Sequence, residues 1–264
     1  MSYLVIAFLF ILGTLLGSFL NVVILRYHTG MGLGGRSMCM SCGKKLHAHE
    51  LIPLLSYLFQ RGKCRSCKSK LSIQYPIIEA LSGFVVLILA LTLSPILEYS
   101  IPVFITLFIY ALFAFSLLLV ISVYDIRHKV IPNALSLAFA LISFFSIFIS
   151  VSGPVVPTVL ELFSGVFLAL PFALLSLGSK ERLMGFGDVK LIFGIGYLLG
   201  LSSGIMAVLL AFWIGTVVAL VLLLFRKFGF NLKTEVPFAP FLSLGTFIVF
   251  VTSISVASYI ALFV

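Results

Sequence analysis

The amino-acid sequence predicts an all-α polytopic membrane protein of about eight transmembrane helices, with one small cytoplasmic zinc-bound loop domain. Three observations predict it. Of 264 residues, 62% are hydrophobic and 9% charged, and the mean hydropathy is +1.28; soluble domains carry about 25% charged residues. The apolar residues gather in eight stretches, at 3–25, 77–97, 101–124, 130–151, 159–178, 187–201, 204–225 and 239–262. All four cysteines fall in the one long polar segment, 26–75.

The first stretch is long enough to cross a bilayer. No basic run precedes it and its first positive charge, Arg26, follows it, so it is expected to be a retained helix and not a cleaved signal. The span 191–225 has no charge and exceeds the roughly 20 residues one crossing needs. It is therefore divided at Gly200–Gly204, leaving a short sixth helix. Ser152-Gly153-Pro154 and Pro157 mark a turn, and Gly178 closes the fifth helix as glycine often does at a C-terminus. The chain thus divides into a first helix (1–25), a loop domain (26–75) and a transmembrane block (76–264).

With these boundaries all 17 Lys and Arg residues fall on one side. Nine lie in 26–75; the rest are Arg127, Lys129, Lys180, Arg182, Lys190, Arg226, Lys227 and Lys233. Basic loops are retained in the cytoplasm, so both termini are expected outside. The net charge of +9 then follows from topology and calls for no nucleic-acid partner; lipid is the expected surroundings.

Cys39-Met40-Ser41-Cys42 and Cys64-Arg65-Ser66-Cys67 are two C-x-x-C knuckles separated by 21 residues. Four thiolates suit tetrahedral zinc, and the gap is close to zinc-ribbon spacing. In the cytoplasm disulfides are disfavoured, and a loop this small needs a staple. Structural Zn2+ on Cys39, Cys42, Cys64 and Cys67 is expected, with His47 and His49 as lesser candidates.

Acids within membrane helices are rare and usually functional. Asp125 ends the third stretch and Asp188, in Gly185-Phe186-Gly187-Asp188-Val189-Lys190, opens the sixth. The alternation of spans places both at the cytoplasmic face. Two carboxylates sharing a proton can activate a water and polarise a carbonyl. Gly185 and Gly187 lack side chains and would let a substrate backbone approach. Each aspartate alone reads equally well as the partner of a neighbouring cation, Arg127 or Lys190. Lys190 either tunes Asp188 or extends its head to water.

With these residues the chain resembles the GxGD intramembrane aspartyl proteases, and over nearly its full length the type IV prepilin peptidases. The likeness also rests on Gly17-Ser18-Phe19-Leu20-Asn21 with Arg26, the knuckles, Glu50-Leu51-Ile52-Pro53-Leu54-Leu55-Ser56, Tyr75-Pro76 with Glu79, Ile131-Pro132, and Pro237-Phe238-Ala239-Pro240-Phe241 with Gly245. The resemblance implies a multifunctional inner-membrane hydrolase and methyltransferase of type IV pilus and type II secretion systems. Prepilins and pseudopilins would lose a short basic leader after glycine at the cytoplasmic face. The new N-terminus would be methylated from S-adenosyl-L-methionine. It implies Asp125 and Asp188 as catalytic, the cysteines as zinc ligands, and the 26–75 loop as the part linked to methylation. Glu50 and Glu79 are candidate acids for that second activity; Glu79 reads equally well as a favourable charge at a helix N-terminus. The glycine-rich run 30–35 has no strand before it and reads as flexible loop. Asn21 is expected to face other helices. A proton or cation transporter and a non-cutting pilin assembly factor are the rival classes, and a third reading keeps the peptidase without the methyltransferase; no inverted repeat supports the transporter.

Overall fold

The computed structural model describes residues 3–29, 32, 34–150, 153–224 and 236–253. The basic loop holding Arg226, Lys227 and Lys233, the end of the eighth stretch, Ser152, and Gly30, Met31 and Leu33 lie outside them. Each of the eight apolar stretches carries a helix. The chain divides into two compact units, Met1–Ser94 and Pro95–Val264.

In the first unit α1 (Tyr3–Arg26) packs antiparallel on α3 (Gln74–Leu93). Glycine sets the approach: a Cβ on Gly13 would lie 2.7 Å from the Gly83 Cα, and one on Gly17 2.8 Å from the Glu79 Cα. Small residues four apart let membrane helices touch backbone to backbone. Asn21 continues this register. It is buried, donates to the Tyr75 carbonyl at 3.2 Å and accepts from Gln74 Nε2 at 3.4 Å. The polar side chain in the first stretch is thus spent between helices. This packing explains why the compact division falls after Ser94, whereas the sequence boundary at residue 76 falls at the start of α3. Between the two helices lie the knuckles, a 3-10 turn (Ala48–Glu50) and the short α2 (Leu55–Phe59).

The second unit comprises α4 (Ile101–His128), α5 (Asn133–Ser146), α6 (Val159–Leu162), α7 (Ser164–Gly178), α8 (Phe186–Leu224) and α9 (Ala239–Thr252), with a two-residue hairpin pairing β1 (Ile149–Ser150) and β2 (Gly153–Pro154). α8 packs on α5, α7 and α9, and α4 on α5 and α9. α8 is two arms. Gly200 breaks the helix at φ 76°, ψ 173°, a conformation that L side chains rarely adopt. A Cβ on Gly204 would lie 3.6 Å from the Gly196 Cα, whereas residues eight apart in a straight helix lie about 12 Å apart. The arms therefore fold back on each other at the division expected from length. The arm before Gly200 nests on α7, where a Cβ on Gly196 would meet the Gly165 Cα at 2.7 Å.

Four helices are long and apolar enough to cross a membrane by length and composition: those within Tyr3–Arg26, Gln74–Glu98, Ile101–His128 and Phe186–Leu224. The shorter apolar helices α5, α7 and α9 hold 14, 15 and 14 described residues. α4 outlasts its expected end at 124 by four residues, so Asp125 lies on the helix.

Candidate functional site

Asp125 occupies the last turn of α4, where its carbonyl accepts the Lys129 N–H at 2.7 Å and Lys129 ends the helix in the left-handed region. Its side chain is 5% exposed. The partner of the carboxylate comes from the start of α9, where the Ala239 N–H donates to Asp125 Oδ2 at 3.2 Å. The first N–H groups of a helix have no partner within it and carry the positive end of its dipole. Pro240, next along, has no N–H to offer. This explains the Pro237–Phe241 segment, to which the sequence assigned no role. A proline in the first turn of a helix was the available signal.

Asp188 lies in the first turn of α8, and its N–H donates to the Gly185 carbonyl at 3.2 Å. Asp188 Oδ1 is buried with no hydrogen-bond partner. The chain that leaves Asp125 returns to Asp188: Ile131, six residues on, lies against Gly187. One buried acid is thus held by a helix N-terminus, and the other keeps an oxygen without a partner.

The linker from Lys129 to Asn133 holds the first turn of α8 in place. Ile131 fills the space where Gly187 would carry a side chain, its Cβ 2.9 Å from that position. Lys190 Nζ donates to Asn133 Oδ1 at 2.6 Å and lies 5.3 Å from the Phe186 ring centre. Lys190 is thus directed to Asn133. At Gly187 the space a Cβ would take is filled by Ile131. At Gly185 a Cβ would meet only Asp188 Oδ2, at 3.6 Å. On another face of α8 a groove of about 520 Å³ runs between α5 and α7. Its lining is apolar, from Leu137 to Phe193, except where Asn133, Ser136 and Lys190 meet it.

The four cysteines form a separate site in the first unit. Their sulfurs all lie within 4.8 Å of one another, with Cys39 and Cys67 at 3.9 Å. Tetrahedral zinc with Zn–S bonds of about 2.3 Å brings thiolates to about this separation, so the set fits zinc. Two matching turns build it. Cys39 N–H donates to the Lys44 carbonyl and Gly43 N–H to Cys39; Cys64 N–H donates to Ser69 and Lys68 N–H to Cys64, all at 2.8–3.0 Å. Backbone N–H groups of Cys42 and Ser41 bring the Cys39 thiol down to about 6. At Cys42 the Lys44 N–H favours thiolate, but the neighbouring sulfurs of Cys67 and Cys39, with desolvation, outweigh it and push the thiol up to about 11.

Glu50 and Glu79 lie in the same unit, and each carboxylate accepts a backbone N–H. Glu50 Oε2 accepts the His47 N–H at 2.9 Å, which holds its carboxyl below the usual range. Glu79 Oε2 accepts the Leu54 N–H at 2.8 Å. His47 and His49 stack on each other with centres 5.6 Å apart; the metal-competent group among the described residues is the cysteine set.

The two units correspond to two matches with known families. A model described as the bacterial peptidase A24 N-terminal domain matches residues 11–93, and one described as the type IV leader peptidase family matches residues 112–220. The first contains the four cysteines and the second both aspartates. A Vibrio cholerae protein named prepilin leader peptidase/N-methyltransferase is 30% identical over 264 residues, covering 95% of this chain and 98% of the relative. Relatives of the same name are 28% identical in Bacillus subtilis, covering 96% of this chain and 97% of the relative, and 30% identical in Burkholderia pseudomallei, covering 91% and 83%. No solved structure matches the chain.

Proposed function

Because this chain belongs to the type IV leader peptidase family, we propose that Asp125 and Asp188 are its catalytic pair and that they cut prepilin and pseudopilin leaders after glycine at the cytoplasmic membrane face. The carrying observation is that the segment following Asp125 packs on the turn that carries Asp188, whose Oδ1 is buried and unpartnered. One carboxylate takes a proton from water while the other, protonated, polarises the scissile carbonyl. The pair titrates as one system, so acid and base are roles of the dyad. No covalent intermediate forms. The Ala239 N–H fixes the orientation of Asp125, and the Ile131 and Lys190–Asn133 contacts fix Asp188. The substrate backbone approaches past Gly185, and the apolar groove beside α8 is a surface of the kind a hydrophobic substrate segment needs.

The relatives' shared name pairs the peptidase with an N-methyltransferase. For this chain we assign methyl transfer from S-adenosyl-L-methionine to the unit that carries the knuckles, with Cys39, Cys42, Cys64 and Cys67 holding structural zinc. Glu50 and Glu79 serve that activity by tying down loop backbone. In this reading the site lies at the inner face of the cytoplasmic membrane with both termini outside, supported by the positive charge of the loops. Intact mass of a prepilin incubated with the solubilised enzyme tests this reading. Loss of the leader, plus one methyl group when S-adenosyl-L-methionine is added, is the expected result. Leader loss without methylation removes the second activity, and intact substrate removes the first.

A further inference from the structure

The short helix α2 is anchored unusually deep. Glu79, whose carboxylate receives the Leu54 N–H, is five residues into α3, about 7.5 Å along its axis. Ser18 lies against the same carboxylate, eight residues before the end of α1, about 12 Å in. The start of α2 therefore lies beside the helix pair and not beyond its end. Leu54, at φ 59° and ψ −52°, bears backbone strain to make this turn.

What α2 presents there is apolar. Leu55 is 50% exposed, Leu58 70% and Phe59 76%, and Ile52, just before α2, is also exposed. Lipid-exposed backbone must satisfy its own polar groups, and most N–H groups of this segment are satisfied within it. The N–H groups of Leu55, Ser56, Leu58, Gln60, Arg61, Gly62 and Lys63 all find carbonyls between Pro53 and Gln60 or within Ile52–Leu58. Immediately after α2 come Arg61, Lys63, Arg65, Lys68 and Lys70, all exposed. The loop's one acid, Glu50, is buried and turned to the His47 N–H.

We propose that α2 is a re-entrant foot. It sits in the leaflet next to α1 and α3 with Leu55, Leu58 and Phe59 among acyl chains, and the basic residues that follow lie on anionic lipid headgroups. The occupant is the bilayer itself: the apolar tip continues the surface of two spanning helices, and the all-basic rim complements an acidic leaflet. Anchoring the foot holds the cysteine knuckles at the membrane surface. The inference uses the first unit alone and stands or falls apart from the catalytic reading.

The test uses the full chain in nanodiscs. The single native tryptophan, Trp213, is replaced by phenylalanine, and a reporter is introduced by Phe59→Trp, by Leu58→Trp, or at the rim by Lys68→Trp. Phospholipids brominated high on their chains should quench the reporters at 58 and 59 strongly and leave them shielded from aqueous iodide. The reporter at 68 should behave oppositely. Omitting phosphatidylglycerol should weaken bromolipid quenching at 58 and 59. Equal iodide access at all three positions overturns the proposal. Shielding from iodide without bromolipid quenching also overturns it, because protein then covers the foot. Quenching indifferent to phosphatidylglycerol overturns the headgroup contact. Bound zinc in each variant confirms that the loop is folded, and two reporters at the tip guard against one perturbing substitution.

Discussion

At the scale of single residues the candidate site depends on what each carboxylate lacks or receives. Asp125 is buried and takes one backbone N–H; Asp188 keeps one oxygen free. Lys190 lies two residues from Asp188, yet its ammonium is directed to Asn133 at 2.6 Å. Lys190→Met keeps the apolar stem and removes that hydrogen bond. It should lower kcat by roughly tenfold, the order of one charge-assisted hydrogen bond. Asn133→Ala should do the same, and the double variant should be no worse than either single one. Additive losses in steady-state cleavage would mean that the two side chains act apart. The cysteines make a prediction about pH. A thiol at about 11, as at Cys42, keeps its proton at neutral pH until a metal displaces it. Zinc uptake should therefore release protons, and zinc affinity should fall as pH falls. Calorimetry in buffers of different ionisation enthalpy measures this directly. Cys42→Ser should lose the metal and impair methyl transfer more than cleavage.

At the scale of elements, helix ends and close approaches position the chemistry. Gly187→Ala would place a Cβ 2.9 Å from Ile131 Cβ, pushing the first turn of α8 away. A misplacement of about 1 Å can cost about a hundredfold in rate, so cleavage should drop by at least about tenfold. Ile131→Ala in the same chain should restore much of it. Gly185→Ala meets only Asp188 Oδ2, at 3.6 Å, and should fold normally. Gly200→Ala puts a side chain at φ 76° and should cost about 1–3 kcal/mol, read as a lower thermal midpoint in detergent. These elements also show what the sequence could and could not reveal. The break at Gly200 was legible because 191–225 is too long for one crossing. Asp125 and Asp188 were legible because charge is scarce in apolar helices. The Ala239 N–H on Asp125 was not, since it joins positions 114 apart and leaves no local pattern. The same holds for Lys190 and Asn133, 57 apart. Glycine at 187 signals close approach without saying by what; on its Cβ side the neighbour is Ile131.

At the scale of the whole molecule the chain is two units, and the proposal gives each its own chemistry. The first couples a glycine-packed helix pair to a four-cysteine site; the second carries one aspartate at the end of α4 and the other at the start of α8. Cysteines at fixed spacing made the four-cysteine cluster readable from sequence, and acids in apolar helices marked the proposed catalytic pair. The division after Ser94 was not, because it depends on the packing of Gly13 and Gly17 against α3. The central claim is that Asp125 and Asp188 act as one catalytic pair. The measurement that tests it most directly is the single-turnover rate of prepilin cleavage by wild type, Asp125→Asn and Asp188→Asn, each shown to be folded by its zinc content and thermal midpoint. The account predicts that either substitution alone lowers the rate by about 10⁴-fold or more, as for residues that work as a unit. A folded Asn variant that cuts within about tenfold of wild type would contradict it, and the hydrolytic centre would have to be sought elsewhere in the chain.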